Sequence, residues 1–208
     1  MNKKRKTGHP LVMKKKLIVR GCLFFTVVIL CIAVGKKSSS EKIEHNLKEN
    51  LIRFHVRANS NQKSDQAYKL KVRDAVIDYV SPYMESADTK EEALELLKKK
   101  KNGIQKTAEQ TLKQYGVRQT VTVCFTEEEF PEKTYGDYTF PAGVYDAVRV
   151  NLGKAQGHNW WCVMFPDLCV TKDDEVEINQ KAKKKMEKIL GRYTVEKLQR
   201  SRYFGWLL

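Results

Sequence analysis

The side chains best suited to chemistry in this chain are a histidine and a cysteine that lie close together in sequence. His158 and Cys162 are four residues apart, and a thiol beside an imidazole can act as the nucleophile of a hydrolase. The segment around them alternates like a β-strand, however, and residues i and i+4 of a strand have Cα atoms roughly 13 Å apart. A hydrogen bond between the two side chains is therefore out of reach. Because the sequence also lacks a phosphate-binding glycine loop and a nucleophile elbow, we predict that the protein is not an enzyme.

Cys162 and Cys169 allow another kind of chemistry, the formation of a disulfide. Six residues that include a turn separate them, so the two sulfurs can meet, and an oxidising compartment would favour the bond. The alternatives are a metal pair and two reduced core thiols. A metal site is disfavoured because the chain lacks a second cysteine pair or a spaced histidine pair. We therefore expect a disulfide, and neither a metal nor a cofactor.

The charge of the chain is concentrated at its two ends. Lys and Arg number 39 against 25 Asp and Glu, a formal net charge of +14. Residues 1–35 carry +8 and residues 181–208 carry +7, which leaves residues 36–180 close to neutral. A core without net positive charge gains nothing from counterion release along a phosphate backbone, so we expect no nucleic acid partner.

An export segment accounts for the N-terminal charge. Eight cations precede an apolar run over residues 21–34, and the small side chains of Ala33 and Gly35 suit a signal peptidase cut before Lys36. The run is short for a membrane span, which needs around 20 apolar residues. We predict that residues 1–35 are a signal peptide, with an uncleaved membrane anchor as the alternative, and that residues 36–50 form a polar linker.

The patterns over residues 51–170 predict an α+β domain. Residues 52–57 alternate, with Ile52, Phe54 and Val56 on one face and polar residues on the other, as in a half-buried strand. Apolar residues then recur every three or four positions up to residue 115, which is typical of two or three amphipathic helices. Pro82 should end or kink the first helix, a capping box of Thr89 and Glu92 should begin the second, and Asn102-Gly103 can break the second in two. After Gly116 the period changes to two. We predict an antiparallel sheet with helices packed on one face, followed by a basic, partly helical tail over residues 171–208.

One predicted strand, residues 159–165, is apolar on both of its faces, with Trp160 and Trp161 pointing to opposite sides. Helices cover only one face of a two-layer domain. The second face must then be covered by the tail, by a loop or by another protein. A central strand with both rings in the core is the alternative. The tail ends in an apolar cluster, residues 203–208 (YFGWLL), which either docks on the domain or lies on anionic lipid.

Several sequence blocks, taken in order, resemble a known family. They are residues 52–60 (IRFHVRANS), 65–76 (DQAYKLKVRDAV), 133–137 (KTYGD), 141–143 (PAG), and 159–163 (NWWCV) with the following FP and LC pairs. Over Leu51 to Val170 the chain resembles the stage II sporulation protein R family of endospore-forming bacteria. It departs from the family pattern at Arg57, His158 and Asp167.

The resemblance implies a protein made in the forespore and exported into the space between the two sporulation membranes. Members of the family switch on a membrane-embedded aspartic protease of the mother cell, which matures the precursor of sigma-E. We expect a secreted signalling protein, whose partner contact involves the apolar strand and a turn. The residues concerned are Asn159, Trp160, Trp161, Phe165, Pro141 and Gly143. The alternatives are an extracytoplasmic hydrolase and a module that binds the membrane or cell-wall surface through the basic tail.

If residues 1–35 are a signal peptide, the exported protein should start at or near Lys36, because the small residues at positions 33 and 35 fit the peptidase. N-terminal sequencing of protein recovered from the export compartment checks this prediction. Recovery of an intact Met1 from washed membranes would instead indicate an uncleaved anchor.

Overall fold

The computed structural model describes residues 10–169 and 180–204, and the chain divides after Ile43 into two compact units. Helix α1, Pro10–Asn50, begins in the first unit, where it carries exposed apolar side chains that include Leu23, Phe24 and Leu30. Among the residues described, no helix is both long and apolar enough to cross a membrane. The signal peptide stays a prediction.

Residues 36–50 differ from the predicted linker, because they continue α1 as a helix. Leu47 is fully buried, and the Asn46 side chain donates hydrogen bonds to the carbonyl of Leu190 and the hydroxyl of Thr194, each 2.8 Å long. The polar composition of the segment suggested a loop, but these contacts hold its end in the second unit. That unit therefore begins at Glu44, ahead of the predicted start at Leu51.

The second unit is an α+β domain, as the sequence predicts. Its strands are β1 (Ile52–Arg57), β2 (Val121–Phe130), β3 (Lys133–Tyr135), β4 (Tyr138–Phe140), β5 (Gly143–Leu152) and β6 (Asn159–Phe165). Helices α2 (Lys63–Ser86), α3 (Lys90–Lys99) and α4 (Lys101–Gln114) lie between β1 and β2 in the chain, and α5 (Gln180–Leu190) and α6 (Arg192–Phe204) follow β6.

Four strands form the main sheet in the order β2-β5-β1-β6. β2 pairs with β5, and β1 with β6, in the predicted antiparallel manner, but β1 and β5 run parallel. The sheet is therefore mixed. The parallel pair arises because the helices and three further strands return the chain to the end of the sheet at which β1 begins. β3 and β4 form a separate antiparallel hairpin.

The two faces of the main sheet are covered by different elements, and we call them the helix face and the hairpin face. The helix face carries Ile52, Phe54 and Val56, all fully buried, and α2 and α4 pack against it. The side chains between them point to the hairpin face, where Arg53 is fully buried and His55 is 1% exposed. The prediction that β1 is only half-buried, with these residues on a polar side, is therefore wrong. β1 is buried on both faces.

The helices follow the predicted pattern with shifted ends. Thr89 caps α3, since its hydroxyl accepts a hydrogen bond from the backbone N of Glu92 at 3.2 Å, as predicted. α2 continues through Pro82 to Ser86 instead of ending there, and the break between α3 and α4 lies at Lys100, just before the predicted position.

The basic tail docks on the domain through α5. Ala182, Met186 and Leu190 are buried on one side of this helix. Lys181 bonds Glu85, and Lys188 bonds Asp88, with distances of 2.7 Å in both cases. The helical part of the tail that α5 forms therefore packs on the domain. The side chains of residues 203–208, where an apolar cluster was predicted, lie outside the described part of the chain.

The structure brings Cys162 and Cys169 together as a disulfide, with Cα atoms 5.5 Å apart, and the presence of this bond in the purified protein is a testable prediction. A short loop should contribute about 2 kcal/mol through the lost entropy of the unfolded chain. Cys162→Ser should therefore lower the melting temperature without abolishing the fold, whereas Cys124→Ser should leave it nearly unchanged. Mass spectrometry of nonreduced digests should find the two cysteines linked. Alkylation of both thiols in protein taken from its native compartment would contradict the bond.

Candidate functional site

The predicted contact residues Asn159, Trp160 and Trp161 form one end of β6, which is an edge strand. β6 pairs with β1 on one side, where Trp160 lies opposite Val56 and Asn159 opposite Arg57. Within the described ranges no strand pairs with its other side. All three contact residues are half-buried. Two tryptophans thus meet solvent at the open edge of the sheet.

The two tryptophans contact opposite faces, as predicted. On the helix face, the Trp160 ring lies 6.4 Å from that of Phe54, centroid to centroid, and Arg73 Cζ lies 4.7 Å above it. On the hairpin face, Trp161 stacks on His55 with a centroid distance of 4.6 Å and an interplanar angle of 4°. Trp160 therefore supports helix α2, whereas Trp161 supports the buried imidazole of His55.

A rigid loop positions the start of β6. Asp65, at the beginning of α2, accepts hydrogen bonds from the side chains of Asn59, Ser60 and Gln119, at 2.8, 2.6 and 2.8 Å. These hydrogen bonds, above all that from Ser60, lower the pKa of the Asp65 carboxyl. A Cβ atom at Gly157 would lie 2.2 Å from the backbone O of Ser60, so only glycine fits there. The loop thus holds the chain just before Asn159 close against the end of β1.

The other predicted contact residues lie elsewhere. Phe165 is fully buried and lies opposite Ile52, at the far end of β6. Pro141 precedes β5 and Gly143 begins it. Gly143 lies eight residue steps along the strand, roughly 26 Å, from Asn151 beside the contact end. The turn therefore lies away from Asn159, and it reaches the tryptophan edge through Phe130, which pairs with Gly143 and whose ring centroid lies 4.7 Å from that of Trp161. The alternation of residues in the sequence could not reveal this arrangement, because it does not show which strands are neighbours.

The cysteine-histidine pair shows no catalytic geometry. Cys162 is drawn into the disulfide, and His158 is exposed, with its backbone N donating to the Asn61 side chain at 2.8 Å. Across the described residues no group of three His, Cys, Asp or Glu side chains could hold a metal ion.

Sequence reasoning missed the most unusual buried group, the guanidinium of Arg53. Its Cζ atom lies over the rings of Phe130, Tyr145 and Phe140, at 4.8, 5.2 and 5.9 Å from their centroids. None of its three nitrogens makes a hydrogen bond of normal geometry within the described chain. Burial lowers the pKa of Arg53 and raises that of the adjacent Tyr135 phenol to about 12. The aromatic residues between positions 130 and 145 were the signal that could have revealed this site.

The hairpin also secures the tryptophan edge. The hydroxyl of Tyr135 in β3 donates to the backbone O of Trp161 at 3.1 Å, and the backbone N of Leu168 donates to Val163 O at the same distance. Two carbonyls of β6 are thereby satisfied towards its far end. The part of the edge nearest Asn159 is left for other contacts.

A row of charged groups crosses the hairpin face beside Trp161. Glu128 on β2 contacts both His55 Nε2, at 2.8 Å, and the guanidinium of Arg149 on β5. The pKa of His55 is lowered from 6.5 to about 3. Burial is the main cause, and the cations Arg149 and Arg57 add to it. The Glu128 carboxylate favours a charged ring, but Arg149 already neutralises that carboxylate. We therefore take His55 as neutral at physiological pH.

Comparison with known proteins shows the family to which this chain belongs. The sequence profile of a family described as stage II sporulation protein R matches residues 48–175. The chain is also 32% identical over 193 residues to Stage II sporulation protein R of Bacillus subtilis (strain 168), a match that covers 88% of this chain and 86% of that protein. The chain belongs to the stage II sporulation protein R family. No solved structure matches it.

Membership of the stage II sporulation protein R family assigns the protein a role in sporulation. The matched residues 48–175 include all six strands and helices α2 to α4, so the tryptophan edge and the Arg53 cluster both lie in the part shared with the family. The names of the family and of the Bacillus subtilis relative state a stage of sporulation and no reaction.

The depressed pKa of His55 predicts acid sensitivity. The unfolded chain takes up a proton near pH 6.5 and the folded chain only near pH 3, so stability is complete above pH 6.5 and falls as the pH drops below it. The free energy of unfolding should decrease by about 2 kcal/mol between roughly pH 7.5 and pH 5. His55→Phe keeps a stacking ring and should flatten this dependence, whereas His158→Gln, at an exposed site, should not. Denaturant unfolding at each pH measures the effect. An unchanged pH dependence in His55→Phe would contradict the lowered pKa, and a steeper loss of stability towards acid pH in that variant would indicate a charged His55 paired with Glu128.

Proposed function

We propose that this member of the stage II sporulation protein R family is a secreted signal that activates a partner by binding it and catalyses no reaction itself. The partner implied by the family resemblance is the membrane-embedded aspartic protease that matures the precursor of sigma-E. In this proposal the chain is exported from the forespore into the space between the two sporulation membranes, and it meets the protease there.

The observation that carries the proposal is the open edge of β6 with its two half-buried tryptophans. Large apolar side chains at a surface mark an interaction site more often than chance exposure does. An edge strand also offers backbone donors and acceptors to an added strand of a partner. Tryptophan is among the residues whose truncation costs most at protein interfaces. The edge therefore has both backbone and side-chain means of binding a protein.

The chemistry of the described side chains supports binding over catalysis. The one buried imidazole, His55, is stacked on Trp161 and held neutral, and the thiol that could have served as a nucleophile is drawn into a disulfide. Asp65 accepts three side-chain hydrogen bonds that tie it to a loop. Each of these groups has a structural task in the fold.

The surroundings of the two tryptophans assign them different tasks. Trp160 packs between Phe54 and Arg73 of α2, so its loss removes support for the helix layer. Trp161 also contacts the core, because its ring packs against His55 and Phe130. It lies on the hairpin face at the boundary of the covered region, however, on the same side of the sheet as the half-buried Arg57 and Asn159. We assign Trp161 to the partner contact and Trp160 to the fold.

Trp161→Ala is expected to bind the protease about thirtyfold more weakly, a loss of about 2 kcal/mol for a buried aromatic anchor. In sporulating cells this variant should be exported and folded but should fail to support maturation of the sigma-E precursor. Trp160→Ala should lower the melting temperature and keep its signalling activity in the folded fraction. Circular dichroism, capture of the membrane region of the protease and immunoblotting of the precursor measure these three properties.

Tyr115→Ala serves as the control, because Tyr115 is an exposed aromatic residue after α4 and is remote in sequence from the edge. It should bind and signal as the wild type does. Normal precursor maturation by folded Trp161→Ala would place the contact elsewhere. Cleavage of the precursor by the purified protein alone would replace the binding proposal with an enzymatic one.

A further inference from the structure

Next to Trp161, the hairpin face carries a cluster of polar side chains on adjacent strands, which we call the arginine patch. It consists of Arg57, Arg149, Asn151 and Asn159. Arg57 lies between Asn151 of β5 and Asn159 of β6, and Arg149 is the next residue of β5 on the same face. Because neighbouring strands are roughly 4.8 Å apart, the row from Asn151 to Asn159 is about 10 Å wide. All four side chains are half-buried, so the β3–β4 hairpin leaves the part of the hairpin face that carries them open to solvent.

The arginine patch contains polar atoms that the fold does not satisfy. Nε of both arginines and Oδ1 of both asparagines are buried without a hydrogen-bond partner in the described chain. Arg149 contacts the Glu128 carboxylate, but Arg57 forms no ion pair with any carboxylate of the described residues. Two guanidiniums with one carboxylate leave the patch positively charged. Since unsatisfied buried polar atoms cost free energy, their concentration at one open site indicates a ligand.

We propose that the arginine patch binds a carboxylate side chain carried by an extended segment of the partner protein, which lies along the open edge of β6 beside Trp161. This inference rests on the proposed function, because it specifies what the activated partner presents. A carboxylate can accept two parallel hydrogen bonds from a guanidinium such as that of Arg57. The N–H groups of the same segment can donate to the asparagine oxygens.

The composition of the patch favours an acidic peptide over a phosphate of lipid or cell wall. An ionised phosphate group provides acceptors almost exclusively, which would satisfy the arginines and leave the oxygens of Asn151 and Asn159 without donors. A peptide provides acceptors and donors together. The neighbouring Trp161 ring adds an apolar surface that suits a peptide side chain.

The test uses exported protein and membranes that contain the protease. Arg57→Gln removes the positive charge, and Arg57→Lys keeps the charge but cannot make two parallel hydrogen bonds. As a control, Arg192→Gln removes a positive charge at an exposed position in α6. Arg57→Gln should be captured about tenfold more weakly at low salt, and its capture should depend less on salt concentration than that of the wild type. Arg57→Lys should lose less, and Arg192→Gln should match the wild type. Near-ultraviolet circular dichroism confirms that each variant is folded.

A charge exchange then identifies the carboxylate. In the Arg57→Glu background, arginine replaces each acidic residue of the extracytoplasmic segments of the protease in turn, and one replacement should restore capture. Equal capture of folded Arg57→Gln and wild type would overturn the inference. Binding of the wild type, but not of Arg57→Gln, to phosphatidylglycerol vesicles would also overturn it, because the occupant would then be a lipid headgroup.

Failure of the proposed function is distinguishable from failure of this inference. If wild-type protein does not capture the protease at all, the proposed partner is wrong. An array of extended peptides that differ only by Glu or Gln at a central position then tests the patch separately. Preference for Glu that disappears in Arg57→Gln would support the arginine patch as a carboxylate site, and equal binding of both peptide sets would overturn it.

Discussion

The burial of the Arg53 guanidinium is the constraint on which the rest of the domain depends. A cation at the centre of the sheet cannot be left without compensation, and this chain surrounds it with aromatic rings instead of a carboxylate. Those rings come from β2, β4 and β5, so the β3–β4 hairpin must close over the sheet before the cation is accommodated. Helices on the other face make β1 a strand that is buried on both sides.

That cover is incomplete, and the surface that we assign to the partner lies at its boundary. Trp161 lies at the boundary, stacked on the buried His55 and bonded through its carbonyl to Tyr135 of the hairpin. Beyond it the hairpin face is open, and Arg57 and Asn159 are half-buried with polar atoms that lack partners. The residues that close the core and those that we assign to the partner are thus neighbours on one strand. Membership of the stage II sporulation protein R family gives the protein a role in sporulation.

The sequence predicted those parts of the structure in which one apolar face of a helix or strand packs against one neighbouring layer. The α+β class, the helix face with Phe54 and the cap at Thr89 are of this kind. The burial of Arg53 and His55 could not be predicted in this way, because alternating charged residues are typical of a solvent-facing side. The parallel β1–β5 pair escaped prediction because strand order depends on contacts between distant segments. For the same reason the sequence could not show that Phe165 is buried in the core and that Gly143 begins β5, at the end of that strand away from Asn159.

The most direct test of the account is site-specific photo-crosslinking during sporulation. A photoreactive phenylalanine analogue replaces Asn159, at the open end of β6, and a second protein carries the same group at the exposed Tyr115. Mass spectrometry then identifies what each probe captures. We expect the probe at position 159 to crosslink to the sigma-E processing protease and the probe at position 115 not to do so. Crosslinks from position 159 to lipid alone, or equal capture of the protease from both positions, would contradict it.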